Sequence, residues 1–211
     1  MPASNDAAVL AADALTARGL VALLRTLRDN IDKLDRRIAE LVAAHPEGAL
    51  FASLLDAGSV LVPRLIVAFG TRRERYESAY EMQCYSGIAP VKEASGKTSW
   101  VHFRRACPKF LRQTFHEFAL HSIGQSEWAK AYYQHLREDE NKSHQAAVRS
   151  LAYKWIRIIF RCWKDAKPYD EEVYLNSLRR RGSQLGAALA PATGLGWQTV
   201  AGFQKLSENK A

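Results

Sequence analysis

The chain has 211 residues, 47% hydrophobic and 25% charged, with a formal net charge of +8. That is a globular balance in a chain long enough to bury a core, and the positive charge favours polyanions. No uninterrupted apolar run of the roughly 18–20 residues that cross a bilayer is read, and no secretory signal opens the chain, so a cytoplasmic location is expected.

Residues 1–19 are Ala-rich without a clear apolar face and are expected to be poorly ordered. A heptad seam follows in residues 20–45, with Leu20, Leu24, Leu27, Ile31, Leu34, Ile38 and Leu41 spaced alternately four and three apart. Arg, Asp, Lys and Glu fill the other faces. Such a helix needs a partner, either a second copy or its own domain. Pro46 and Gly48 end it. Residues 49–181 read as a helical domain. Short apolar helices flank Asp56 and Gly58, a hairpin that either presents backbone N–H groups to a phosphate or simply packs in the core. Gly87, Pro90 and Gly96 then break the helical period, and Thr98–Phe103 suits a brief strand. Pro108 opens a helix with Phe110, Leu111, Phe115, Phe118 and Ala119 on its apolar face. A helix near residues 126–139 follows. A longer one is capped by Asn141 or Ser143 and buries Ala147, Leu151, Trp155, Ile158, Ile159 and Cys162. A last helix ends in an Arg run, and residues 182–211 are expected to form a flexible tail. The fold class is mainly α, with an N-terminal coiled-coil helix and one irregular basic loop or short hairpin.

That loop holds the chemistry. Lys92, Lys97, Arg104, Arg105, Lys109 and Arg112 crowd between Val91 and Arg112 with Glu93 as the only acid, interleaved with Trp100, His102 and Phe103. Basic groups mixed with aromatics suit a nucleic-acid backbone, or form a solvated basic face. Ser95 precedes Gly96 and Lys97, which supply exposure and positive charge for a serine nucleophile. Nothing nearby is an obvious proton acceptor, His102 being a candidate. Ser86 and Ser99 compete with it. His116 and His121 are five apart, about 140° around a helix, and do not form a zinc pair. The acids at 138–140 read as a solvated helix end. Cys84, Cys107 and Cys162 lack metal-ligand spacing and read as reduced, packed thiols.

The string SGIAP…SGK…WVHF…CPKFLRQTFHEFA resembles the C-terminal transposase domain of the insertion-sequence 110/116/902 family, bacterial DNA recombinases that mobilise insertion elements. The likeness spans roughly residues 20–165. It implies that Ser95 attacks a DNA phosphodiester to form a phosphoserine link. It also implies a RuvC-like domain holding Mg²⁺, a structured guide RNA, and a place for the coiled coil ahead of this domain. Lys92, Lys97, His102, Arg104, Arg105, Lys109 and Arg112 become candidate nucleic-acid contacts, on charge and position. Where the family often has LPGIG, this chain has LLDAG, Leu54–Gly58. Too few residues precede Leu20 for a RuvC-like domain, so the chain reads as a truncated C-terminal half. It is expected to act in the bacterial cytoplasm, as a homo-oligomer through residues 20–41, with that domain supplied in trans and no metal or membrane contact of its own. The other reading is a non-catalytic DNA- or RNA-binding and dimerising fragment.

Overall fold

The computed structural model describes residues 6–55, 57–183, 185, 186 and 189. Asp56 and nearly all of the expected tail lie outside the described residues. The chain divides into two compact units, residues 1–169 and 170–211, so the last helix falls outside the unit that holds the rest of the expected 49–181 domain.

The first unit is helical: α1 (Ala7–Ala44), α2 (Gly48–Ala52), α3 (Gly58–Phe69), α4 (Ala79–Tyr85), α5 (Lys109–Gln125), α6 (Glu127–Glu138) and α7 (His144–Lys164), interrupted by β1 (Val91–Ser95) and β2 (Thr98–His102). The second unit contributes α8 (Glu171–Arg180), capped by Asp170.

Helix α1 begins much earlier than the heptad seam, correcting the expectation of poor order for residues 7–19. Alanine is the strongest helix former, and the Asp6 carboxylate accepts from the Ala8 N–H at the start. An 18-residue window of α1 with mean hydropathy 1.7 meets the length and composition of a membrane span, correcting the reading that no such stretch exists. Asp13 and Arg18 sit among these alanines and leucines, so the stretch is not an unbroken apolar run. No residue of α1 is buried, and every leucine and isoleucine of the seam is exposed. The helix meets the body near its C-terminal end, against α2 and α3. There Gly48 is obligatory, because a Cβ would stand 2.2 Å from the Val42 carbonyl oxygen.

The body is built on α5, α6 and α7 packed on one another, with α3 against α5 and α4 against α7. Trp128, Trp155 and Trp163 lie at its centre, each almost fully buried. Burying an indole leaves an N–H needing an acceptor. Trp155 donates to Ser122 Oγ at 2.7 Å, Trp128 to Tyr169 Oη at 2.9 Å and Trp163 to the Gly70 carbonyl at 2.7 Å. The α7 aromatics are thus core, not a stacking platform for bases. Its buried stripe is led by Ala147, Leu151, Trp155 and Ile159 as the periodicity predicts, but Ile158 and Cys162 are only half-buried, while Ile156, Phe160 and Trp163 complete it. Ser143 caps α7, accepting from Ala146 N–H. Phe110, expected on the apolar face of α5, is exposed beneath the Arg64 guanidinium. Arg64 pairs with Glu117 and donates to Thr114 Oγ1 at 3.1 Å, tying α3 to α5. The acids at 138–140 form a surface network: Asp139 and Glu140 with His135, and Glu140 with Lys142.

Candidate nucleic-acid interface

The central basic loop is a two-stranded antiparallel hairpin. Its register pairs Ser95 with Thr98, Ala94 with Ser99, Glu93 with Trp100, Lys92 with Val101 and Val91 with His102. Gly96 has φ +58 and Lys97 has no positive φ, the pattern of a type II′ turn, which matches the twist of the strands it joins. Only Val91 is even partly buried. The strands contact each other far more than any other element. A lone two-stranded hairpin is marginal in water.

Opposed residues in such a ladder share a face. Ser95, Thr98, Glu93, Trp100, Val91 and His102 lie on one face. Lys92, Val101, Ala94 and Ser99 lie on the other. Ser95 is therefore the last residue of β1, at the exposed tip. His102 is on its face but pairs four residues away, about 14 Å along a strand rising ~3.4 Å per residue. That excludes His102 as the acceptor of the Ser95 proton, which needs hydrogen-bond reach. The His102 imidazole instead faces Glu93, with Nε2 3.3 Å from Oε1. Arg104 and Arg105 lie beyond the foot of the hairpin, so of the cations expected around Ser95 only Lys97, in the turn, is adjacent. Lys92 is on the opposite face. Among the described residues no general base reaches Ser95, and no group of three or more His, Cys, Asp or Glu converges to hold a metal.

The competing nucleophiles fare differently. Ser86 is fully buried and donates to the Gln83 carbonyl, so it is structural. Ser99 is exposed but points to the face away from Ser95. Burial pushes the Cys162 thiol up to about 11, keeping it protonated at neutral pH.

The motif before the hairpin serves the fold. Gly87 has φ +73, and a Cβ there would stand 2.3 Å from Cys107 Sγ. Ile88 and Ala89 follow it into the core. Gly87 thus seats Cys107 and the segment that returns from the hairpin. Arg112, near the start of α5, donates from Nη2 to the Arg104 carbonyl at 2.8 Å and the Arg105 carbonyl at 3.0 Å, and reaches Cys107 Sγ. It is a clamp on the foot of the arm as well as a charge. Lys109 is exposed in the first turn of α5. A cleft of about 610 Å³ opens beside this segment, lined by Arg75, Glu81, Tyr85, Arg104 and Cys107 among others.

Two residues outside the basic loop join it there. The Phe103 ring lies under the Arg112 guanidinium at 4.1 Å and the Arg149 guanidinium, from α7, at 4.2 Å. His116 stands one turn after Arg112 on α5. Burial, then the charges of Arg149 and Arg112, hold its imidazole below the ordinary histidine range. Sequence reasoning missed Arg149 and considered His116 only as a zinc ligand. Their spacing to the loop is set by the α5–α7 packing and leaves no local signal.

The first unit is thus a mainly helical body with a hairpin arm and a long exposed helix. Its family follows from comparison. Residues 49–134 match the model of the transposase IS116/IS110/IS902 family, and the chain carries a domain of that family. It is also 27% identical, over 156 residues, to a Streptomyces coelicolor A3(2) protein described as "Mini-circle putative transposase for IS117". The alignment covers 72% of this chain and 37% of that protein, so the chain spans well under half the length of its relative.

Proposed function

We propose that this chain is the serine-bearing part of a DNA transposase, with Ser95 as its nucleophile. The observation that carries the reading is the position of Ser95. It stands at the tip of an exposed basic arm, beside a glycine that lets a backbone approach and a lysine that can hold phosphate charge. Ser95 Oγ attacks a DNA phosphorus. The Oγ–P bond forms as a backbone P–O bond breaks, and the leaving DNA oxygen takes a proton. The serine proton goes to a base supplied by the other half of the site, since none among the described residues reaches it. That supports a site completed by a RuvC-like half, where Mg²⁺ would also reside.

The exposed seam of α1 supports self-association. A stripe of leucine and isoleucine with charges on the remaining faces suits a partner helix better than lipid. The basic residues of the hairpin and its foot support contact with DNA and with a structured guide RNA. The bacterial cytoplasm is where such an element is mobilised.

The alternative is a non-catalytic binding and dimerising fragment. It is favoured by the same lack of a proton acceptor near Ser95. A strand-transfer assay with a separately expressed RuvC-like half separates the two. The catalytic reading expects Ser95→Ala to abolish transfer and Ser99→Ala to retain it. Equal activity of the two variants, or no transfer by the parent chain, supports the fragment.

A further inference from the structure

We propose that Arg112, His116 and Arg149, gathered around Phe103 at the foot of the hairpin, form a binding site for a backbone phosphate of nucleic acid, separate from Ser95. The inference rests on the reading of this domain as one that handles nucleic acid, and adds a site outside its nucleophile.

Three observations converge on Arg149. The first is like charge without compensation. Two guanidiniums share one aromatic ring, His116 stands beside them, and no carboxylate pairs with any of the three among the described residues. Glu117, the neighbouring acid on α5, is engaged by Arg64 and Gln113. The second is unspent hydrogen-bonding capacity. Arg112 Nε, Arg149 Nε and His116 Nε2 are all buried without a partner. Folded proteins leave few such groups, and three within one cluster point to an acceptor that arrives with a ligand. The third is access. Phe103, Arg112, His116 and Arg149 are half-buried, not sealed. A recess of about 390 Å³, lined by His102, Phe103 and Arg105, meets the cluster at Phe103.

A purely structural role accounts for part of this. Arg112 holds the Arg104 and Arg105 carbonyls and would be kept for that alone. Arg149 holds nothing comparable: its guanidinium rests on Phe103 and makes no hydrogen bond. Burial, then the charge of Arg112, lowers its affinity for its proton, which is the electrostatic mark of a cation placed where an anion would relieve it. A guanidinium fork suits phosphate oxygens, and a half-desolvated one binds them more strongly than a cation in open water.

The full chain tests this through two readouts. Fluorescence anisotropy with a labelled DNA duplex, across a salt series, is run on the parent, Arg149→Gln and Ser99→Ala. Arg149→Gln weakens binding about tenfold and lowers the log–log salt slope by roughly one. Ser99→Ala, on the hairpin and assigned no role, binds like the parent. A labelled single-stranded RNA of equal length forms a second arm, and dependence on Arg149 identifies which backbone the site takes. Thermal melting in inorganic phosphate against chloride, at matched ionic strength, is the second readout. Phosphate raises the parent midpoint, and Arg149→Gln loses that response while melting no lower than the parent in chloride. A folded Arg149→Gln that keeps parental affinity and slope for both nucleic acids, or a phosphate response that survives it, overturns the site. Should Arg149→Gln unfold the chain, Arg149→Lys is read by the loss of affinity and of the phosphate response alone, since it keeps the charge and loses the fork. A parent chain that binds neither nucleic acid defeats the transposase reading, while the phosphate melt still judges the site.

Discussion

At the tip of the hairpin, Ser95 and Lys97 stand in solvent on strands that pack chiefly on each other. At its foot, Arg112 and Arg149 press on Phe103, with buried N–H groups left unpaired. The tip is cheap to hold and chemically incomplete, lacking the base a serine needs. The foot is costly to hold, because desolvated like charges repel, and it is already shaped. The difference teaches where each part of the work is prepared. On the proposed reading, grip is built into the body, whereas reactivity waits for groups brought by another domain.

Two tryptophans give the largest test of that contrast. Trp155→Ala removes a fully buried ring and the N–H that donates to the Ser122 hydroxyl, and should cost about 3–5 kcal/mol in a denaturant melt. Trp100→Ala, on the arm, should change global stability by less than about 0.5 kcal/mol. An equal loss at both positions would mean the arm is part of the core.

Two glycines sharpen the comparison at smaller scale. Gly87 and Gly96 both hold positive φ, at +73 and +58. Gly87→Ala must also push Cys107 aside, and should destabilise the whole chain by about 2–4 kcal/mol. Gly96→Ala meets no atom within 4 Å. It should cost about 1–2 kcal/mol within the hairpin alone, read as faster amide exchange over residues 91–102 at an unchanged melting midpoint.

The smallest effect is a pH slope. His116 is held below 6.5 by burial, then by Arg149 and Arg112, while the unfolded chain takes its proton near 6.5. The unfolded state therefore binds more protons in that window. The contribution is complete above pH 6.5 and is lost as pH falls through the lower folded value. His116→Gln should flatten the melting midpoint between pH 7 and 5 relative to the parent.

Much of this was legible in the sequence because it is local. The 4–3 spacing of leucines marks a long helix, Ser143 marks the start of α7, and Gly87 and Gly96 mark turns. The helix before Leu20 was obscured because alanine forms helix without forming a face. The early strand β1 was hidden because Val91–Ser95 lacks the alternation that marks a half-buried strand, both its faces being in water. Ser95 was found through a resemblance, since a serine before a glycine is usually just a turn. The distance from Ser95 to His102 needed the register, which no residue pattern states. Arg149 could not be linked to the basic loop at all, since two helices packing across the core bring them together.

The central claim is that Ser95 becomes covalently joined to DNA once the rest of the site is supplied. The direct measurement mixes the chain with end-labelled element DNA, the element's RNA, Mg²⁺ and a separately expressed RuvC-like half, then resolves the products on a denaturing gel. The account predicts a protein–DNA band that Ser95→Ala abolishes and Ser99→Ala retains. A band that persists in Ser95→Ala, or no band while the DNA remains bound, would contradict it.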